Sequence, residues 1–196
     1  MSDHGSRRAR DSWLQARHDL GGDITALEFG DTVSAVALGG QSEPTRVLRL
    51  QLGPGALARR YLRGASPGEA TIEAAIAEAE ERIMPLRPFV AADSVCVSRD
   101  PRVAWIAEVL GLPREPWVDL RTDTVEGGFN RWVAIALGRP ATQDTLPTAA
   151  EFAASLLVLR EWLHHLGFAG IRAARTTPGH GAAAAPRGPG RRGCAG

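Results

Sequence analysis

The stretch of sequence that decides the fold is residues 24–52, ITALEFGDTVSAVALGGQSEPTRVLRLQL. It contains three strand-like runs, at Ile24–Phe29, Val33–Leu38 and Arg46–Leu52. In the second half of the third run every second residue is a leucine, which is the pattern of a strand with one buried face. The connections between the runs are too short for a crossover. The sequence therefore predicts a three-stranded antiparallel meander over residues 24–52.

Helical patterns dominate the chain after the meander, and short strands separate them. The clearest helix start is Ser66, a predicted N-cap that is followed by Pro67 at the first helical position. Gly167 is the expected C-cap of the last helix. The predicted elements are helices at Ala56–Leu62 and Ser66–Met84, a strand within Val90–Val97, a helix from Asp100 to Gly111, a strand at Trp117–Leu120, and helices at Val125–Leu137 and Thr148–Leu166. This order predicts a single α+β or α/β domain over residues 23–168, ending in two helices.

The two ends of the chain differ in composition from this domain. Residues 1–22 are polar and rich in arginine, so we expect a flexible segment, in which a short helix around Asp11–Asp19 is compatible with the pattern. Residues 169–196 consist mainly of alanine, glycine, proline and arginine without an apolar period. Such a segment buries too little apolar surface to offset its conformational entropy. The sequence therefore predicts a disordered tail over residues 169–196.

The order of three meandering strands followed by alternating helices and strands resembles the ribonuclease H-like topology, which the actin-like ATPases share. The segment from Ile24 to Leu38 resembles the opening hairpin of those folds. Glu28 stands where that family usually has an aspartate, and Phe29-Gly30-Asp31-Thr32 stands in place of its glycine-rich phosphate hairpin. A Rossmann-like or a generic α+β domain with a meander remains an open alternative.

The composition excludes several kinds of chemistry. All 23 basic residues are arginine, so the chain has no lysine for a Schiff base, a P-loop or a kinase-type phosphate contact. Five of these arginines and none of the 22 acids lie in residues 169–196, which leaves the rest of the chain mildly acidic. A dedicated nucleic-acid-binding domain would instead carry a basic face. We therefore expect no specific nucleic-acid partner.

Cysteine usage and apolar runs predict the compartment. The two cysteines, Cys96 and Cys194, lie far apart and have neither metal-binding nor redox spacing, which is typical of a reducing cytoplasm. No apolar run has the length of a membrane span, and no apolar segment follows the basic N-terminus as in a signal peptide. The sequence predicts a cytoplasmic protein without membrane contact. Abundant arginine, alanine, glycine and proline indicate a bacterial source.

Four acidic residues are candidate catalytic groups. Hydrolysis or phosphoryl transfer through two metal ions needs several carboxylates that converge within a few ångströms. Three of them, Glu28, Asp31 and Asp119, lie near the ends of predicted strands. The fourth, Glu73, lies on the predicted helix Ser66–Met84. Roles in turns, in helix caps and on solvated helix faces explain the same residues individually.

Two further patterns suggest binding sites. Gly53-x-Gly55-x-x-Ala58 follows a strand and opens a helix, like a degenerate dinucleotide fingerprint, and Arg59 and Arg60 could contact a phosphate. An ordinary Gly-Pro-Gly turn explains it equally well. Near the end of the last helix, the spacing of Glu161, His164 and His165 places possible metal ligands close together. Favourable interaction of the two histidines with the helix C-terminus is the alternative explanation.

These observations lead to two hypotheses about function. The first is a bacterial accessory protein without catalysis, which binds a partner protein through helical faces rich in arginine, glutamate and tryptophan. It rests on a well-capped fold pattern without a recognisable catalytic motif. The second is a metal-dependent phosphoryl-transfer or hydrolytic enzyme on a ribonuclease H-like scaffold. It rests on element order and on the acids at the strand ends.

Overall fold

In the computed structural model of this chain, residues 4–64, 67–113 and 115–174 are described. The strands are β1 (Ile24–Glu28), β2 (Ser34–Gly39), β3 (Arg46–Leu50), β4 (Val95–Ser98), β5 (Trp117–Arg121) and β6 (Gly170–Ala174). The helices are α1 (His4–Leu20), α2 (Pro54–Tyr61), α3 (Glu69–Ile83), α4 (Pro101–Val109), α5 (Thr122–Ala136) and α6 (Ala150–Leu166), with 3₁₀ helices at Met84–Phe89 and Ala141–Gln143.

The six strands form one mixed sheet in the order β3-β2-β1-β4-β6-β5. Strands β1, β2 and β3 pair antiparallel, as the meander prediction requires. Strand β4 lies parallel to both β1 and β6, and β5 closes the far edge antiparallel to β6. The predicted α/β class is therefore confirmed. The sheet brings the carboxyl ends of β1, β4 and β6 to the same edge.

The chain does not end in two helices, because strand β6 follows α6 and lies between β4 and β5. The predicted boundaries of the domain and the tail are wrong here, since residues 170–174 belong to the sheet. Three of its side chains, Ile171, Ala173 and Ala174, are buried. Backbone hydrogen bonds to a strand on each side hold this short segment, which has too few apolar residues for its sequence pattern to reveal it. The rest of the predicted disordered tail, residues 175–196, lies outside the described residues.

Helix α1 covers one face of the sheet, so the prediction of a flexible segment at residues 1–22 is wrong for His4–Leu20. Trp13 is fully buried, and its indole N–H donates to the carbonyl oxygens of Ile24 and Gly39 at 3.1 Å each. Small side chains let the helix approach the sheet closely. They are Ala9 and Ala16 on the helix and Ala26, Ala35 and Ala37 on the strands.

The remaining helices cover the opposite face, where the larger hydrophobic core lies. Helix α6 is buried over most of its length and ends at Gly167 in the left-handed conformation, as predicted for its C-cap. Helix α3 begins at Glu69 with Gly68 as its N-cap, which is later than predicted, and Ser66 lies outside the described residues. No helix in the described part of the chain is both long and apolar enough to cross a membrane.

Candidate active site

The carboxyl end of β1 carries a buried acid, Glu28, which is 2% exposed. Ser12 Oγ on α1 donates to Glu28 Oε1 at 2.5 Å, and the backbone N–H of Arg99 donates to the same oxygen at 3.2 Å. Among the described residues, Glu28 Oε2 has no hydrogen-bond partner, although Arg8 Nη2 lies at the ion-pair distance of 3.1 Å. One oxygen of this carboxylate is thus fixed by two donors, and the other faces only a guanidinium group.

The carboxyl end of the neighbouring strand β4 leads into a second buried acid, Asp100. Its Oδ1 accepts a hydrogen bond of 2.8 Å from the backbone N–H of Arg102, so Asp100 caps helix α4, which starts where predicted. Its Oδ2 is buried, has no hydrogen-bond partner in the described part of the chain, and lies 3.7 Å from Arg102 Nη1. Ser98 Oγ donates to the Leu27 carbonyl at 2.7 Å, which joins the ends of the two strands. The two acids therefore lie at the same edge of the sheet.

Burial shapes the protonation of both acids. Removal from water raises the pKa of Glu28, and the negative charge of Asp100 adds to this rise, while the Ser12 hydrogen bond and the Arg8 charge oppose it. Burial also raises the pKa of Asp100, against the opposing effect of Arg102. A carboxyl with a raised pKa holds or accepts a proton closer to neutral pH. The pair therefore has the properties of groups that perform general acid–base chemistry.

A cleft of about 500 Å³ opens beside Glu28, between the start of α1 and the β1–β2 hairpin. Its charged lining consists of Arg8, Arg49, Arg102, Glu28 and Asp31. Guanidinium groups match the geometry of phosphate and carboxylate oxygens, and the donors of arginine remain charged at any relevant pH. The cleft is thus suited to an anion that lies next to a buried carboxylate.

The β1–β2 hairpin packs against the start of α2, which explains both glycines of the predicted dinucleotide motif. A Cβ at Gly53 would lie 2.5 Å from the backbone of Asp31, and one at Gly55 would lie 1.9 Å from Asp31 Oδ1. The backbone N–H of Ala56 donates to the Asp31 carbonyl at 2.8 Å. Close packing of the hairpin therefore accounts for both glycines without a bound cofactor.

The two arginines of that motif are engaged in ion pairs. Arg59 holds Asp31 through two hydrogen bonds, of 3.1 and 2.7 Å, and this contact lowers the pKa of Asp31. Arg60 Nη1 lies 3.0 Å from Glu78 Oε2 on α3. Both arginines are exposed and link α2 to its surroundings. Their contacts account for them without a bound nucleotide.

The four candidate catalytic acids do not converge. Glu28 and Asp31 line the same cleft, whereas Glu73 is exposed on α3. Asp119 lies on the edge strand β5, where Arg172 of β6 holds it through hydrogen bonds of 2.7 and 3.2 Å. This pair lines a separate cleft of about 490 Å³, and its charges satisfy each other. The structure therefore does not bring the four candidate acids together, because β5 runs antiparallel at the far edge of the sheet.

The predicted metal ligands near the end of α6 also serve other roles. Glu161 is buried, its Oε2 lies 3.0 Å from His165 Nε2, and its Oε1 contacts Arg160. His164 is exposed. Among the described residues no group of three or more His, Cys, Asp or Glu side chains could hold a metal ion. The prediction of a metal site at Glu161, His164 and His165 is therefore wrong.

Sequence reasoning missed four residues of this site, which are Arg8, Ser12, Asp100 and Arg102. Asp100 follows an apolar run, which places it at a strand end, but this position predicted only the start of a helix. The spacing of Arg8 and Ser12 puts them on one helical face with little apolar content. Only contact with the sheet identifies that face as part of a site.

No known family model and no curated protein matches the chain. Solved structures match its fold. A Ppx/GppA enzyme of Aquifex aeolicus superposes with a TM-score of 0.72 at 13% identity, covering 87% of this chain and 60% of the other. A second structure, described as the type II variant of the Aquifex aeolicus Ppx/GppA phosphatase, superposes with a TM-score of 0.71 at 14% identity. The match covers 86% of this chain and 59% of the other. An exopolyphosphatase of Cytophaga hutchinsonii superposes with a TM-score of 0.66 at 12% identity. The match covers 87% of this chain and 60% of the other.

The chain thus shares the actin-like α/β fold of these enzymes and spans about three fifths of their length. This finding contradicts the first hypothesis about function, an accessory protein without catalysis, because the neighbouring structures are those of phosphatases and exopolyphosphatases. Of the two hypotheses drawn from the sequence, the enzyme on a ribonuclease H-like scaffold agrees better with the comparison.

Proposed function

We propose that this chain hydrolyses a phosphate ester or a phosphoanhydride, with its active site at Glu28, Asp100 and the adjoining cleft. The observation that carries the proposal is a buried carboxylate, Glu28, that lines an arginine-lined cleft, with a second buried carboxylate, Asp100, at the same edge of the sheet. Among the described residues, one oxygen of each has no hydrogen-bond partner. Phosphoryl transfer depends mainly on positioning and on stabilisation of negative charge, which such a cleft supplies. The shared fold with phosphatases supports the same reaction class.

The two carboxyls would divide the proton transfers between them. Glu28 accepts a proton from a water molecule as the water oxygen forms a bond to phosphorus. The bond from phosphorus to the leaving oxygen breaks, and this oxygen takes a proton from the carboxylic acid of Asp100. Burial raises the pKa of both groups, and their mutual repulsion favours a state with one proton on the pair. Arg8 and Arg102 bind the oxygens of the phosphoryl group.

A resident divalent cation does not fit this set of residues. Glu28 Oε2 lies 3.1 Å from Arg8 Nη2, and Asp100 Oδ2 lies 3.7 Å from Arg102 Nη1. A cation bound between them would lie next to two guanidinium charges. Among the described residues, no group of three or more His, Cys, Asp or Glu side chains could hold a metal ion. No step of the proposed reaction therefore involves a metal ion.

The activity would be tested on the purified full chain with p-nitrophenyl phosphate, tripolyphosphate and ATP, by measuring released inorganic phosphate. We expect hydrolysis of at least one of these, and a loss of about a hundredfold or more in Glu28→Gln, because a general base contributes about that much. Glu73→Gln is the matched control, since Glu73 is exposed on α3. Equal rates in the two variants, or no phosphate release from any substrate, would refute the proposal.

We also propose that the chain works in the cytoplasm. One of its two cysteines, Cys96, is a buried free thiol, and burial raises its pKa to about 12, so that it stays protonated and unreactive. A free thiol of this kind is typical of reducing compartments. Fractionation of cells that express the tagged chain would test this, and recovery in the periplasmic or membrane fraction would contradict it.

A further inference from the structure

We propose that Arg8 and Arg102 take the place of a divalent cation, so that the site binds the phosphoryl group without any metal. This inference rests on the proposed function, but it concerns how the anion is held rather than whether it is hydrolysed. The geometry that carries it is the position of the two guanidinium groups. Each faces the one oxygen of a buried carboxylate that has no hydrogen-bond partner.

Arg8 reaches the site from α1. Its Nη2 lies 3.1 Å from Glu28 Oε2, and its side chain is still 41% exposed. The remaining donors of the guanidinium group are therefore accessible from the cleft that Arg8 lines. A guanidinium that bridges a carboxylate and a bound anion plays the part that a metal ion plays between a carboxylate and a phosphate.

Arg102 reaches the site from the first turn of α4. Its Nε donates to Glu151 Oε1 at 3.1 Å, and its Nη1 lies 3.7 Å from Asp100 Oδ2. The guanidinium group is thus oriented by two acids on different elements, and it also lines the cleft. Because the group is held from both sides, less conformational entropy is lost when it binds an anion.

The charges of the site agree with this assignment. Glu28 is paired with Arg8, whereas Arg102 is shared between Asp100 and Glu151. A third arginine, Arg49, lines the same cleft, whereas Asp31 at its rim is neutralised by Arg59. With Glu151 included, four arginines balance four acids, and the one proton held by Glu28 and Asp100 leaves one positive charge of the protein for an incoming phosphate.

Calorimetry on the full chain tests the inference with two probes, inorganic phosphate and MgCl₂. We expect phosphate to bind in excess EDTA with an affinity that saturating Mg²⁺ does not change, and MgCl₂ alone to give no heat of binding. Arg8→Gln and Arg102→Gln should each weaken phosphate binding roughly tenfold or more, since each removes a charge-assisted hydrogen bond. Arg82→Gln, on the exposed face of α3, is the control and should bind normally.

Arg8→Lys keeps the positive charge but loses the paired N–H donors of the guanidinium group, so it should bind phosphate with intermediate affinity. This variant separates loss of charge from loss of structure. Far-ultraviolet circular dichroism would establish that each variant is folded. Phosphate binding that appears only with Mg²⁺, or Mg²⁺ binding that Asp100→Asn abolishes, would overturn the inference. So would the absence of phosphate binding in both conditions. Metal-free phosphate binding without hydrolysis of any substrate would support it and would refute only the proposed function.

Discussion

Ser12 Oγ donates a hydrogen bond of 2.5 Å to Glu28 Oε1, so helix α1 and the end of β1 meet in a buried polar contact. Ser12 is 3% exposed and Glu28 is 2% exposed. The contact fixes one oxygen of the carboxylate and leaves the other facing Arg8. A segment that the sequence pattern marks as flexible therefore orients the central acid of the proposed site.

Replacement of Ser12 should change the titration of Glu28. In Ser12→Ala the hydrogen bond that lowers the pKa of Glu28 is lost, so this pKa should rise further above its ordinary value. Carbon-13 NMR of labelled glutamate side chains would follow the titration directly. Ser12→Thr keeps the hydroxyl and should titrate near the wild-type midpoint. The same midpoint in the alanine variant and in the wild type would show that the hydrogen bond does not tune Glu28.

Removing the buried charges should stabilise the fold at neutral pH. Burial raises the pKa of Glu28 and Asp100 in the folded state, so each acid contributes stability below its unfolded pKa and loses it as the pH rises through the folded pKa. Glu28→Gln and Asp100→Asn should therefore raise Tm by about a few degrees at pH 7. The difference should vanish below about pH 4, where the acids are protonated. A lower Tm for both variants at pH 7 would contradict this assignment.

Two glycine-to-alanine substitutions should act in opposite directions. A Cβ at Gly53 would lie 2.5 Å from the backbone of Asp31, which cannot yield without moving the hairpin, so Gly53→Ala should cost about 2 kcal/mol or more. A Cβ at Gly127 in α5 meets no atom within 4 Å, so Gly127→Ala should add about 0.5–1 kcal/mol through helix propensity. Urea denaturation measures both free energies of unfolding. Similar effects of the two substitutions would be inconsistent with the described packing of the hairpin.

Truncation after Phe168 should destabilise the protein strongly. It removes β6, which pairs with β4 on one side and β5 on the other, and with it the buried side chains Ile171 and Ala173. The two strands would be left with unpaired backbone groups in the middle of a sheet. Thermal unfolding of the full chain and of a chain that ends at Phe168 tests this. An unchanged Tm would mean that β6 is dispensable and that residues 169–174 belong to a tail after all.

The local patterns of the sequence were sufficient for much of the fold. Leu48 and Leu50 alternate with polar residues, which predicts the meander strand, and the left-handed Gly167 ends α6 where predicted. Asp100 caps α4 through its own side chain. Each of these features depends on residues within one turn or one strand, where periodicity and capping preferences are set by the chain itself. For that reason they could be derived without a structure.

Tertiary structure alone decided the composition of the candidate site. Glu28 ends β1 and Asp100 follows β4, a strand distant in sequence, and the two acids share one edge of the sheet because β4 pairs with β1 rather than with β3. Asp119, which was expected beside Glu28, lies on the far edge because β5 runs antiparallel to β6. The order and direction of strands depend on which faces pack together over the whole domain, and no local pattern encodes this.

The same reason explains the two segments that were wrongly predicted as disordered. Helix α1 has few large apolar residues, but Trp13 and its alanine neighbours fit a sheet face that is itself built of alanine. Strand β6 is held by hydrogen bonds to strands on both sides, which a sequence pattern does not record. The sequence by itself determined where helices and strands can form. Only the assembled sheet decided that α1 would bring Arg8 and Ser12 to Glu28, because that contact follows from packing complementarity between distant segments.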